Sequence, residues 1–419
     1  MAERLGWRFA KLCAASTTSA LGSGLATVAA PLFVASRTSN PVLVSATFGV
    51  SWLPWLLFAL PGGVLVDRAD RRQLMIVIDW VRVVAMGVLA AAIGSGHGSV
   101  ILLDIVLFVV NAGEVIFRSA SRAVIPAVVP RARLERANGW LTGGDTLMQG
   151  MVAGPLAGFL FLVAASLPFF VNAGTYAASA ILIGLVAGVY RASSPRAAPA
   201  DGLARGARRL RSARAEVAEG FGWLVRQRLL RTMAVLIGLL NLTLTAAEGV
   251  LVLLARDRLG LGSVGYGLLF ACMAAGGIAG SVIGDRLIRR VTATWTIRIG
   301  LLVEAGMHLT LATSRSPYVV GLMLLAFGVH GALWSIVASS LQQRLTPPAM
   351  LGRVASTTLF IAAGGNCAGA LLGGLIAARF GLTAPYWAGF VVAVIVSAAT
   401  WRVFDRATVA RAYAEPQQA

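Results

Sequence analysis

Gly63-Val-Leu-Val-Asp67-Arg68-Ala-Asp70-Arg71-Arg72 and, further along the chain, Ser281-Val-Ile-Gly284-Asp285-Arg286-Leu-Ile-Arg289-Arg290 are two short charged stretches. Each follows one long apolar run and precedes another. Charges so dense cannot face lipid, where each costs about 2.5–3.5 kcal/mol at a helix centre on insertion scales. Both stretches are therefore expected at a membrane surface, as tight turns between helices.

The composition agrees with a bilayer as solvent. Hydrophobic residues make up 58% of the 419 and charged residues only 13%, more apolar surface than a soluble domain can hide. The formal charge of +19 raises the question of nucleic acid, which the placement of the charges answers. Of the 36 Lys and Arg, only Arg37, Arg256, Arg258, Arg315 and Arg379 fall at outer helix ends. The other 31 are expected on the inner side or at inner helix ends. That asymmetry is the positive-inside rule and puts both termini in the cytoplasm of a multi-pass protein of the cell membrane. Basic residues scattered in this way are a topology signal rather than a nucleic-acid groove, so no nucleic-acid partner is expected. Cys13, Cys272 and Cys367 are isolated within apolar runs and suggest neither a disulfide framework nor a zinc site.

About 20 apolar residues span a bilayer core, and twelve such runs are expected: 12–36, 41–66, 74–94, 99–123, 138–163, 166–190, 231–255, 264–284, 294–314, 317–342, 354–378 and 383–402. They divide the chain into an N-terminal six-helix half (1–190), a cytoplasmic linker (191–230), a C-terminal six-helix half (231–402) and a tail (403–419). The linker is rich in Arg, Ala, Ser and Pro. It is open to two readings: an amphipathic helix near Arg208 to Val225 lying on the membrane, or a connector whose charges merely hold topology. The halves repeat. Pro130-x-x-x-Leu134-x-Arg136-Ala137 is matched by Pro347-x-x-x-Leu351-x-Arg353-Val354 at an offset of 217 residues, Asp67 by Asp285 at 218, and Gly6-Trp7 by Gly222-Trp223 at 216. The expectation is two six-helix halves repeated in parallel, a plan that occurs among membrane transporters.

The first charged stretch resembles the Gly-x-Leu-x-Asp-Arg-x-Gly-Arg-Arg loop between helices 2 and 3 of the major facilitator superfamily. Gly63, Leu65, Asp67, Arg68, Arg71 and Arg72 are in place, and Asp70 stands for a glycine. Phe117-Arg-Ser-Ala-Ser-Arg-Ala-Val-Ile-Pro126, Ala137-Asn138, Gly154-Pro155-Leu-Ala-Gly158, Asn172-Ala173 and Leu351-Gly352-Arg353-Val354 narrow this likeness. They are similar to the branch that contains enterobactin exporters and macrolide-efflux proteins. The resemblance implies that helices 1, 4, 7 and 10 line a central cavity and that 2, 5, 8 and 11 form the contact between halves. It also implies a cytoplasmic latch built on Asp67, Arg68, Arg71 and Arg72, with Asp285, Arg286 and Arg289 as its second copy. Asp145, Arg118 and Arg122 are candidates to complete that network. On helix 5, Gly150-x-x-x-Gly154-Pro155-x-x-Gly158 partly matches the glycine-proline motif of antiporters in this superfamily, with Leu141 and Phe159 replacing glycines. Small residues four apart let backbones approach, and Pro155 breaks a helix hydrogen bond.

An ionisable side chain inside a span is a functional candidate. Helix 4 offers Glu114, with Asn111 nearby; helix 7 offers Glu248, with Asn241 two turns earlier; helix 10 offers His330. Glu114 and His330 stand at nearly equivalent depths in the two repeats. A carboxylate whose ionised form is disfavoured by burial can exchange protons. Glu114 has Arg118 at i+4 and is open to a second reading as a structural ion pair. Glu248 has no basic residue within a turn of its own helix, which favours the functional reading. His330 lies beside Gly328 and Gly331, and a packed structural histidine is an equally natural account. Glu304 and His308, four apart on helix 9, and Asp79 and Arg82, three apart on helix 3, are expected to pair locally.

No nucleotide-binding loop, metal-ligand cluster or catalytic triad stands out, so no cofactor, metal or enzymatic activity is expected. The expectation is an all-α membrane protein of twelve helices in two pseudo-symmetric halves that exports a small, partly apolar molecule, a drug or siderophore-like compound, in exchange for protons. Uptake or lipid movement on the same fold is the alternative, and a non-transporting scaffold or receptor is a second class. Besides its substrate, protons and the lipid bilayer, the sequence calls for no partner, and nothing in it requires more than a monomer.

Overall fold

Helix ends are where the local chemistry of this chain is plainest. The computed structural model describes residues 6–186, 188, 190, 218–347 and 350–405, except for the side chains of residues 59, 60, 63, 64, 67, 68 and 131. Among the described residues there is no strand. Twelve principal helices follow in order among the described residues. They are α1 (Trp7–Arg37), α2 (Pro41–Arg68), α3 (Arg71–Gly94), α4 (Val100–Val128), α5 (Leu134–Val163) and α6 (Leu167–Gly184), then α7 (Arg228–Asp257), α8 (Ser263–Val291), α9 (Ala293–Thr313), α10 (Pro317–Leu345), α11 (Leu351–Phe380) and α12 (Ala384–Thr400). Ten of them are long and apolar enough to cross a membrane; of the other two, α12 is a shorter apolar helix, and α9 carries Arg298, Glu304 and His308. This is the architecture of an all-α, multi-pass membrane protein.

Burial shows which faces meet lipid. On α3, Val77, Val81, Val84 and Val88 fall on one helical stripe and are 59%, 49%, 63% and 54% exposed. Such a stripe is costly in water and unremarkable against acyl chains.

The chain forms two compact units: residues Met1–Ser36, Val50–Arg211 and Ser263–Gly267, and residues Arg37–Gly49, Ser212–Gly262 and Leu268–Ala419. In the first, Leu12, Met75, Phe117, Val124 and Ile183 join α1, α3, α4 and α6 in one apolar core. In the second, Met233, Leu240, Ile297, Leu301, Val337 and Val354 do the same for α7, α9, α10 and α11. Within its own unit α3 lies on α4 and α6, and α9 lies on α10 and α12, so the third helix of each repeat has the same neighbours.

Three expectations change. Of the two charged stretches expected as tight turns, only the first contains one. Asp67 and Arg68 end α2, leaving only Ala69 and Asp70 between helices, and Asp285 to Arg290 are the last turns of α8, which breaks only at Thr292, a left-handed residue (φ 73°). With Ile288 rather than glycine in the second copy, nothing stops the helix earlier. The second change concerns the linker, most of which lies outside the described residues. Its end, 218–226, is helical. Leu224 there is 3% exposed within the second unit's core, so one face of this part packs on protein. The third is helix 5, which begins at Leu134 and turns π-helical over Thr146–Val152. Pro155 follows directly. Its ring excludes the carbonyl four residues back, and a widened turn is one way to accommodate that.

Asp70, where the family pattern has glycine, proves useful. Its Oδ1 accepts from Gln73 N at 3.0 Å and caps α3, while Oδ2 accepts from Tyr190 N at 3.0 Å. Arg71 N donates to Tyr190 O at 3.2 Å. One carboxylate thus ties the start of α3 to the chain beyond α6. Asp70→Ala is expected to lower stability by about 1–2 kcal/mol, the value of a good cap, and Asp70→Asn by much less. Thermal unfolding of the purified variants in detergent measures both.

Candidate functional site

In the first unit the intramembrane charges form one network. Arg82, fully buried on α3, donates to Asp79 Oδ1 at 3.2 Å, to Ser19 Oγ on α1 at 3.2 Å, to Val110 O on α4 at 3.2 Å and to Glu114. Its guanidinium also lies 4.6 Å from the Tyr176 ring centroid on α6. Glu114 accepts from Arg118 one turn on and from Ser23 Oγ at 2.9 Å. Arg118 continues to Gln149 Oε1 at 2.6 Å, within the π-helical stretch of α5, and lies 5.7 Å from the Trp55 ring. Two arginines therefore hold Glu114, each with a second polar partner. The expected local pair of Asp79 and Arg82 is present, but it is only one edge of a lattice through six helices. Asp145 accepts from Ser16 Oγ at 3.4 Å, near this cluster. Asn111 turns its amide onto Leu107 O of its own helix at 2.8 Å. Sequence reasoning missed Ser19, Ser23, Tyr176 and Gln149; the available signal was an arginine in mid-span, too costly to stand with one partner.

The second unit is built differently. Glu248 on α7 borders a small apolar pocket with Leu251, Phe270, Met273, Met307 and Leu324. Among the described residues it makes no hydrogen bond or ion pair, and Glu304 on α9 is the charged group whose field reaches it. Asn241 bonds back to Ile237 O at 2.7 Å. Thr245, one turn beyond, donates to buried Asn366 on α11 at 2.7 Å, a polar link that sequence reasoning did not single out. The expected hydrogen bond between Glu304 and His308 is replaced by a looser pairing at 3.7 Å, too long for one. His330 is not alone: its Nε2 stands 3.7 Å from the other oxygen of Glu304. Among the described residues, no group of three or more His, Cys, Asp and Glu could hold a metal ion.

The latch residues have partners within their own unit. Arg71 donates to Ala123 O at 3.0 Å near the end of α4, and Arg72 to Ile183 O at 3.1 Å and to Gly184 O at the end of α6. Cations at helix C-termini satisfy unpaired carbonyls and the dipole together. The side chains of Asp67 and Arg68 lie outside the described residues. Asp285, Arg286 and Arg289 are exposed on the last turns of α8. On α5, Gly154 and Gly158 are buried, and Ser263 Oγ donates to Gly158 O at 2.8 Å within the first unit. A Cβ at Gly158 would strike the Ser263 carbonyl, so close backbone approach accounts for that glycine. Gly150 and Pro155 are partly exposed beside it. Arg136 is exposed, whereas Arg353 reaches Glu219 Oε1 at 2.8 Å. That pair is 35% and 57% exposed. Arg353→Ala is accordingly expected to change thermal stability by less than about 1 kcal/mol, so a loss of flux in this variant would reflect transport rather than folding.

Among the described residues, twelve helices in a repeated packing scheme, with ionisable groups buried between them, define a multi-pass membrane protein. The chain belongs to the family described as transmembrane secretion effector, matched over residues 6–417, within the major facilitator superfamily. Macrolide efflux protein A of Streptococcus pyogenes is 29% identical over 133 residues, and that match spans 32% of this chain and only 33% of that protein. The enterobactin exporter EntS of Escherichia coli is 25% identical over 389 residues, 90% of this chain and 87% of that one. A bacterial homologue of the iron transporter ferroportin in an inward-facing state shares the fold at a TM-score of 0.73 and 17% identity, covering 96% of this chain and 100% of that one. A POT family transporter in complex with 5-aminolevulinic acid does so at 0.76 and 11%, covering 95% and 96%. At such identities these two likenesses carry the fold alone.

Proposed function

We propose that the protein exports a small, partly apolar compound across the cell membrane by alternating access, in exchange for protons, with both termini in the cytoplasm. The observation that carries the reading is Glu248. It is an unpaired carboxylate on the wall of an apolar pocket, beside side chains suited to a hydrophobic cargo. Glu114 is held by two arginines and is the weaker candidate for the proton carrier. The efflux relatives favour outward transport, and the charge asymmetry of the loops supports the orientation. The substrate class is a drug or siderophore-like natural product. The test is a compound panel applied to cells with and without the protein, followed by flux in inverted and right-side-out vesicles. Protection from no compound, or flux in the opposite direction, overturns the export reading in favour of uptake or lipid movement.

The latch belongs to the same proposal. Asp67→Asn keeps shape and removes charge, and is expected to abolish most flux while leaving insertion normal. Wild-type flux in a normally expressed variant would exclude a latch at Asp67.

A further inference from the structure

The two repeats carry an ionic cluster at the same place, between the third and fourth helices of each six, but with different cations. In the first unit Glu114 on α4 meets Arg82 on α3. In the second, His330 stands on α10, 216 residues after Glu114, and meets Glu304 on α9. An arginine cannot be deprotonated in a protein. Histidine is the side chain whose ordinary charge change falls between about pH 5 and 8. The cation of the first cluster therefore keeps its charge, whereas that of the second can gain and lose it.

The second cluster is also a prepared seat. Glu304, His308 and His330 are 3%, 0% and 7% exposed. The two carboxylate oxygens each face one imidazole Nε2 at 3.7 Å. Neither ring nitrogen of His308 makes a hydrogen bond among the described residues. Each ring occupies space left by a glycine on a neighbouring helix position: a Cβ at Gly389 on α12 would strike the His308 ring, and one at Gly300 on α9 the His330 ring. Phe327 and Trp334 flank His330 at 5.9 and 6.4 Å between ring centroids.

We propose that Glu304, His308 and His330 form a second proton-binding site in the second unit, distinct from Glu248, whose occupancy sets the packing of α9 against α10. A proton taken from water binds an imidazole nitrogen lone pair and makes an imidazolium. That cation draws the Glu304 carboxylate from 3.7 Å toward the charge-assisted hydrogen-bond distance of about 2.7–2.9 Å. Release returns a neutral imidazole and the open spacing. Among the described residues, the titratable groups that face Glu304 from adjoining helices are Glu248 on α7 and His330 on α10. Arg298, earlier on α9, is engaged with Trp295 and Trp401. On α8, Asp285, Arg286, Arg289 and Arg290 stand only in the last turns. Glu248, close enough to sense Glu304, is the natural exchange partner, and this role in transport rests on the proton-coupled reading above.

The chain has three histidines, which makes the test direct. The full protein, labelled with nitrogen-15 at histidine and held in lipid nanodiscs, is titrated from about pH 8 to 5 by NMR, with single His→Gln variants for assignment. His97, on the exposed outer turn, serves as the internal control. The expected result is that His308 or His330 passes from the neutral to the imidazolium pattern, and that Glu304→Gln moves its midpoint while leaving that of His97 in place. If Glu304→Gln does not fold, Glu304→Asp, which withdraws the carboxylate by one methylene, must move it instead. Buried rings that stay neutral throughout, or a midpoint indifferent to Glu304, overturn the proposal. The experiment needs no substrate, so its failure is separable from that of the exporter reading, which is judged by flux.

Discussion

Glu248→Gln is expected to abolish uphill export while leaving substrate binding within a few-fold of the parent. The carboxylate borders an apolar pocket with no cation to hold it ionised. A charge there costs about 2.5–3.5 kcal/mol on insertion scales. Glutamine keeps the size and hydrogen-bonding capacity of the side chain but cannot titrate. The measurement has two arms: binding of a transported compound to the purified variant, and accumulation in proteoliposomes with and without a pH gradient. Gradient-dependent pumping at the parental rate would remove Glu248 from the coupling step and move attention to Glu114. Loss of binding as well would make Glu248 a substrate contact rather than a proton carrier.

Arg82→Leu is the second large effect, on stability. Arg82 is fully buried and serves Asp79, Glu114, Ser19 and Val110 at once. Removing it leaves Asp79 without its cation and Glu114 with Arg118 alone. Breaking a buried pair from one side costs about 3–5 kcal/mol, because the remaining charge stays buried. The double variant Arg82→Leu/Asp79→Leu removes the stranded charge and is expected to recover a substantial part of that loss, leaving the Glu114–Arg118 pair balanced. Unfolding midpoints of the parent, single and double variants in one detergent decide the matter. A double variant no more stable than the single one would mean that packing around the Arg82 side chain, not charge balance, holds this region.

The contrast between these two carboxylates shows where reading a sequence stops. Glu114 and Glu248 are each an acidic residue near the middle of a cavity-lining helix in the family plan. Their own helices separate them only by Arg118, at i+4 from Glu114. The deciding partner, Arg82, is 32 residues away on another helix. His330 has no acidic residue near it in sequence, and both of its readings stayed open there; Glu304, on a different helix, stands beside it. Arg71 and Arg72 were recognisable from their loop, yet the carbonyls they bind at the ends of α4 and α6 belong to segments far along the chain.

The sequence by itself determined the membrane setting, the order and approximate limits of twelve helices, their repeat and the family. Those properties follow from local hydropathy, charge asymmetry and short motifs, all written in consecutive residues. The tertiary structure alone decided which buried charge meets which. In a span that is apolar on nearly every face, hydropathy does not settle how the helix is turned about its axis. That rotation is set by packing against neighbours, through close approaches such as those at Gly158, Gly300 and Gly389, and it selects the partners of Glu114, Glu304 and His330.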